Sequence, residues 1–201
     1  YETLADHLQK KLRASVRVVW SDSIAIAQRE HGLGKKTLFI GKDSVVRHDT
    51  KALSIDVKPL AQLTDTSGSV NQRGVFVVRR GNSASTVLDL EGYRVLWGPA
   101  KCDEKSAAPK SRLKEVEIET VGEEVCETCS IAAVKLVEES DSSKVVAVIS
   151  SYAEKLLTGC GTVEKGALRI IGESEEVPFI SVFANGEISV SEAKAILDGL
   201  C

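Results

Sequence analysis

The chain has 201 residues, a formal net charge of -3, an isoelectric point near 5.7, and 43 % hydrophobic but only 4 % aromatic residues. That length suits one large domain or two lobes, and the charge balance leaves no basic footprint for nucleic acid. No run of about 18 apolar residues occurs, so no membrane-spanning helix is expected and any membrane association is peripheral at most.

The first segment, Thr3 to Arg13, sets Leu4, Ala5, Leu8 and Leu12 on one stripe, which predicts an amphipathic helix. Tyr1 rather than Met opens the chain inside that pattern, the form expected when a leading segment has been removed. Val16–Trp20 (VRVVW) is a compact apolar run predicted as a strand, and Ser21-Asp22-Ser23 predicts the cap of a second helix running to about Glu30. Gly32 and Gly34 end it, Thr37–Ile40 is the next strand, and Gly41-Lys42-Asp43-Ser44 is a polar turn at its end. The strand-helix-strand order predicts that these two strands pair in parallel.

Val57–Thr64 reads as an edge strand because Pro59 removes a donor. Gly74–Arg80 (GVFVVRR) reads as a buried strand followed by the polar linker Gly81–Ser85, a candidate crossing between lobes. A brief helix over Thr86–Leu90 leads to the stretch GYRVLWGPAKCDEK. There a strand, Arg94–Trp97, meets a Gly98-Pro99 turn, a loop of Lys101, Cys102, Asp103, Glu104, Lys105 and Ser106, and a helix from Ala107 with Pro109 in its first turn. In an open α/β sheet such a loop lies at the carboxyl edge of the strands, where ligands and helix N-termini meet.

Val116–Val121 alternates as a half-exposed strand, and Glu123–Ser130 is a loop whose Thr128 or Ser130 caps the helix Ile131–Glu139. Lys144–Ile149 is a strongly apolar strand, Ser150-Ser151 caps a helix over Tyr152–Leu157, and Leu168–Ile171 is a further strand. Glu173–Val177 leads to Pro178 and a second crossing, then a strand over Phe179–Ala184 and a final amphipathic helix over Val190–Leu200. Two crossings with the chain returning beside its start describe an α/β protein of two lobes, each a mostly parallel sheet with flanking helices. Lobe 1 takes residues 1–80 and 176–201, and lobe 2 residues 81–175.

Five cysteines and no methionine are the compositional oddity. Cys102, Cys126, Cys129 and Cys160 are disulfide candidates in an extracytoplasmic compartment, with Cys201 as the thiol left over. Free or buried thiols are one alternative; a metal-binding or redox protein, gathering Cys102, Cys126 and Cys129 with Asp103 or Glu104, is another. The chain has no G-x-S-x-G, H-E-x-x-H, Walker or G-x-G-x-x-G motif, so no enzyme and no cofactor are expected. His7, His31 and His48 are scattered on helical or turn segments of the first lobe and predict no metal site.

The segments TLADHLQKKL with VRVVWSDS, LFIGKDSVV, GVFVVRRGNSASTVLDLEGYRVLWG, CSIAAVKLVEESDSSKVVAVISSYAEKLL and LRIIGESEEVPFISVFANGEI resemble, in order, the PhnD-like phosphate, phosphite and phosphonate binding proteins of ABC transporters. Those proteins have the type II periplasmic-binding-protein fold. The resemblance implies a monomeric periplasmic receptor that closes two lobes around a small anion and serves an ABC permease. The family's first strand would precede Tyr1.

Position by position, the resemblance implies ligand contacts from Ser21, Ser23, Lys42, Asp43 and Ser44 in lobe 1. In lobe 2 it implies Lys101, Asp103, Lys105, Ser106, Thr128, Ser130, Ser150 and Ser151. Cys102-Asp103-Glu104-Lys105 stands where phosphonate binders carry a Ser-Thr-Ser-Gly type turn. Its two carboxylates repel a dianion unless they point away or meet a cation. The effector domain of LysR-type regulators shares the two-lobe plan, and being cytosolic it is expected to carry free thiols.

Overall fold

The computed structural model describes residues 2–65 and 67–200. In order its elements are α1 (Glu2–Leu12), α2 (Ile24–His31), β1 (Leu38–Lys42), α3 (Asp43–Ala52), β2 (Val57–Leu63), β3 (Asn71–Arg79), β4 (Arg94–Trp97), α4 (Ala107–Glu115), β5 (Gly122–Val125), α5 (Cys129–Glu138), β6 (Val145–Ser150), α6 (Ala153–Gly159), β7 (Leu168–Pro178), β8 (Ile180–Asn185) and α7 (Val190–Leu200). They form two compact units: residues 1–70 with 178–201, and residues 71–177.

Unit 1 is built on a three-stranded sheet of order β1-β8-β2. Both pairings are antiparallel, Phe39 opposite Phe183 and Val57 opposite Asn185. Its core joins Phe39, Val46 and Phe183, with Ile24, Leu33, Ile55 and Val57 packed around them. Pro59 sits on the edge strand β2, where the register shifts between Pro59 and Ala61, as a residue without an N–H requires. The helix α3, absent from the sequence reading, starts directly from β1 where the Asp43 N–H bonds the Phe179 carbonyl at 2.9 Å. Ser189 and Glu192 cap α7 reciprocally: the Glu192 N–H donates to Ser189 Oγ at 3.3 Å and the Ser189 N–H to Glu192 Oε2 at 3.0 Å.

Unit 1 departs from the sequence reading at VRVVW. Residues 15–20 form no strand, Trp20 is 66 % exposed, and the parallel pairing expected between VRVVW and β1 is not formed. β1 pairs with β8 instead, the chain's return strand, which supplies five register partners. An apolar run becomes a strand only where a neighbour completes its ladder, and the described sheet gives VRVVW none.

Unit 2 carries a five-stranded sheet of order β5-β4-β6-β3-β7. β4 lies parallel to β5 and β6, with Arg94 opposite Gly122 and Val145; β3 runs antiparallel to β6, with Gly74 opposite Ser150. Each face of the sheet carries a core. One joins Val75, Val77, Leu96, Ala147 and Ile149 to Ala133 and Leu136 of α5. The other joins Phe76, Val78, Val95, Trp97, Val146 and Val148 to Leu113 of α4. Burial on both faces is why GVFVV and VVAVI are unbroken apolar runs rather than alternating ones, and each such side chain contributes about 1.5–3 kcal/mol on burial.

Several elements of unit 2 differ from the reading. The strand read as Gly74–Arg80 and assigned to lobe 1 runs from Asn71 to Arg79 and lies in unit 2, because its pairing is with β6. The linker Gly81–Ser85 is no crossing. Asn82 is buried there, donating to the carbonyls of Asp141 and Ser143 at 3.1 and 2.9 Å and accepting from Tyr93 Oη at 3.0 Å. Val116–Val121 is not a strand; the pairing begins at Gly122, where β4 supplies partners. Ser150 and Ser151 do not cap α6, whose N-cap is Tyr152 without a side-chain bond.

Gly74 marks the closest approach in unit 2. A Cβ there would stand 1.9 Å from the Glu104 carbonyl oxygen and 2.6 Å from Pro109 Cγ. Gly74→Ala is expected to lower stability by about 2 kcal/mol through overpacking, a fall of roughly 4–8 °C in melting temperature, measured by calorimetry. In unit 1, the bond from Lys36, then those from the Ser189 N–H and hydroxyl, hold the Glu192 carboxyl down to about 2 from the usual 4.5. Because the folded value is depressed, the contribution to α7 is present above 4.5 and lost as pH falls through about 2. An NMR titration of the Glu192 side chain is expected to show that midpoint, and Lys36→Met to raise it.

Candidate functional site

The carboxyl edge of β4 and β6 is where unit 2 gathers its polar residues. After Trp97 the chain turns through Gly98 and Pro99 and closes on itself: the Cys102 N–H bonds Pro99 O at 2.8 Å, Lys105 N–H bonds Cys102 O at 3.0 Å, and Gly98 N–H bonds Lys105 O at 3.0 Å. A single 3-10 turn, Asp103–Lys105, results. This loop sits against β3 at Gly74. Glu104 is 0 % exposed, and its Oε1 accepts the Ser150 hydroxyl at 2.9 Å. The Ser150 N–H in turn donates to Cys129 Sγ at 3.5 Å.

The sequence-derived contacts of unit 2 fall into two groups. Lys101 and Asp103 are half-buried on the loop, while Thr128, Ser130 and Ser151 are exposed. Thr128 caps α5, its Oγ1 accepting the Ile131 N–H at 3.1 Å. Ser151 continues the β3 ladder, its N–H donating to Arg73 O at 2.8 Å and its hydroxyl accepting the Arg73 N–H at 3.3 Å. Ser150, Lys105 and Ser106 are buried, at 0, 5 and 8 % exposure. The Ser150 hydroxyl is committed to Glu104. Of the two carboxylates in Cys102–Lys105, Glu104 therefore points away from the surface, the first of the two arrangements the sequence allowed.

In unit 1 the expected residues lie on two short connections. Ser21 is exposed and its hydroxyl donates to Ser23 O at 2.9 Å. Ser23 is half-buried and accepts the Ile26 N–H at 3.2 Å as the N-cap of α2. Lys42 and Ser44 are half-buried on either side of Asp43. Asp43 is buried and its carboxylate is held by Arg47, 2.6 Å from Nε and 3.4 Å from Nη2. That guanidinium stacks 4.9 Å from the centroid of Phe183.

The sequence reading missed the residues that seat the loop. Gly74 and Gly98 each face it where a Cβ would collide, at Glu104 and Lys105 respectively. Glycine interrupting an apolar strand is the signal that marks such an approach. Trp97 and Trp20 also separate: Trp97 is 2 % exposed in the core, Trp20 open to solvent. A cavity of about 440 Å³ opens in unit 2 among Trp97, Lys110, Leu113 and Ile118, and none of the sequence-derived contacts line it.

The disulfides expected from sequence are not formed. Among the described residues Cys102, Cys126, Cys129 and Cys160 form no disulfide, and Cys201 lies outside the described residues. The four thiols occupy separate settings: Cys102 in the loop after β4, Cys126 in the core, Cys129 against Ser150, and Cys160 at the end of α6. Nor do Cys102, Cys126 and Cys129 gather around a metal: among the described residues no group of three or more His, Cys, Asp or Glu is placed to hold one. Burial pushes the Cys126 thiol up. The Thr162 hydroxyl and then its backbone draw the exposed Cys160 thiol down. In native protein Cys160 is expected to react first with Ellman's reagent and Cys126 to resist. After denaturation without reductant all four are expected to react, as counted by absorbance.

A Xanthomonas citri protein solved bound to ATP matches with a TM-score of 0.73 at 14 % identity, covering 98 % of this chain and 76 % of that one. The binding protein component of an ABC phosphonate transporter from Pseudomonas aeruginosa matches with a TM-score of 0.65 at 10 % identity, covering 98 % and 66 %. An ancestral arginine-binding protein bound to arginine matches with a TM-score of 0.55 at 16 % identity, covering 99 % and 79 %. These likenesses are of fold, that of type II periplasmic binding proteins. No curated protein matches the chain. The family model described as "ABC transporter, phosphonate, periplasmic substrate-binding protein" matches residues 1–201, and the chain belongs to that family of binding proteins.

Proposed function

We propose that the chain works outside the cytoplasm as a monomeric receptor that binds one small anionic solute and presents it to an ABC permease. The observation that carries this reading is the family match over residues 1–201. It is supported by the polar edge of unit 2, where Thr128 and Ser130 lie exposed at the start of α5 and Ser151 lies exposed just after β6. Hydroxyls and free amide N–H groups at a helix start are donors suited to oxyanion oxygens. In unit 1, Ser21, Ser23, Lys42 and Ser44 complete the proposed set of contacts. Asp43 serves to hold Arg47 and the start of α3, since its carboxylate is already engaged. No described helix is long and apolar enough to cross a membrane.

A second reading, a cytosolic effector-binding domain of a transcriptional regulator, is favoured by one observation, that the four described cysteines form no disulfide. The family match favours the transport receptor over it.

The test is a thermal-shift and calorimetric panel of phosphonates, phosphate, carboxylates and amino acids on the purified chain. One class is expected to bind saturably with one-to-one stoichiometry. Stabilisation of about 2.7 kcal/mol is expected at a hundredfold excess over Kd. Ser151→Ala is expected to weaken that binding about three- to tenfold, the worth of one hydrogen bond. A panel without any saturable binder overturns the proposal.

A further inference from the structure

Trp97 ends β4 with its ring in the core, 2 % exposed, and its Nε1–H is buried without a hydrogen-bond acceptor among the described residues. A buried indole N–H normally finds a partner, because an unmet donor forfeits the hydrogen bond it makes in water. The same residue lines the cavity of about 440 Å³ in unit 2, with Leu113 and Ile118 as the apolar wall beside it. That volume falls within the roughly 300–1,000 Å³ of small-molecule sites. None of the residues expected to contact the solute lies there.

The wall of the cavity is fastened at both ends. After α4, Glu117 takes the left-handed conformation, φ 55°, which glycine adopts at less cost. The turn is closed by the Glu117 N–H on Lys114 O at 3.1 Å and the Ile118 N–H on Leu113 O at 3.0 Å, which brings Ile118 back beside Leu113. Beyond it the Glu119 N–H donates to Glu91 Oε2 at 2.9 Å, and the Glu119 carbonyl accepts the Gly92 N–H at 2.9 Å.

Over the Trp97 ring lies the Lys110 ammonium, 5.0 Å from its centroid and 2.8 Å from Glu123 Oε2. This pair is exposed, and pairs of that kind are weak, so an entering molecule parts it at little cost. With Lys110 matched by Glu123, the rim sets Lys114 against Glu117 and Glu119, which disfavours an anion. The indole N–H needs an acceptor, which an ammonium does not offer. A neutral molecule meets both conditions.

We propose that this cavity is a second binding site, for a small neutral molecule with an apolar body and one carbonyl or hydroxyl oxygen, and that this oxygen accepts the Trp97 Nε1–H bond.

The experiment is a proton–nitrogen NMR titration of the nitrogen-labelled chain. Its two tryptophans give two indole N–H signals, and Trp20→Phe assigns the one from Trp97. The probes are acetophenone, ethylbenzene, which has nearly the same shape without the oxygen, and inorganic phosphate. Acetophenone is expected to move the Trp97 signal downfield and saturably, to leave the Trp20 signal in place, and to bind about fivefold or more tighter than ethylbenzene, the worth of one hydrogen bond to a buried donor. Saturating phosphate is expected to leave that affinity unchanged. Ile118→Phe, which narrows the cavity, is expected to weaken both aromatic probes. Trp97→Phe, followed by calorimetry, is expected to erase the preference for acetophenone while the melting temperature holds. No saturable movement of the Trp97 signal, equal affinity for acetophenone and ethylbenzene in the wild type, or displacement of acetophenone by phosphate each overturns the proposal.

Discussion

A hidden carboxyl group governs the shape of unit 2's polar edge. Glu104 is sealed from solvent, accepts the Ser150 hydroxyl at 2.9 Å, and by its backbone fills the space that Gly74 leaves open on β3. That contact ties the loop after β4 to the end of β6 and to β3 at once, so three strands and one loop are fixed by a single residue. Removing one partner of such a buried polar contact leaves the other unsatisfied, which costs about 1–3 kcal/mol. The same contact turns one carboxyl of an acidic loop away from the surface.

With Glu104 turned inward, the edge keeps the exposed hydroxyls of Thr128, Ser130 and Ser151 beside the half-buried Asp103, and the Lys105 stem is laid over Gly98. Electrostatics here follow from packing. Gly98 permits a lysine to be buried along its stem. In unit 1 the reverse holds, since Asp43, which sequence offers as a contact, is consumed by Arg47 and by the turn from β1 into α3. A polar residue at a sheet edge is thus as much a fastener as a ligand, and only its partners tell which.

Much of the plan was legible in the chain. The strand Arg94–Trp97 and the final helix Val190–Leu200 have the bounds read from sequence, because their apolar spacing and flanking turns are local signals. Ser23 and Thr128 cap the helices they were expected to cap, since a cap needs only its own next three residues. VRVVW failed for the opposite reason. Its residues suit a strand, but a strand exists only with a neighbour, and β1 is paired with a segment some 140 residues further on.

The sequence by itself determined the α/β class, the family and the order of the local elements, all properties of short-range pattern. The tertiary structure decided what depends on who meets whom. It decided that Gly81–Ser85 is pinned within unit 2 rather than crossing, that four loop and core cysteines stay apart as thiols, and that Glu104 is buried. Spacing along the chain carries no record of those distances, because each is set by a glycine or a hydrogen bond contributed from another strand.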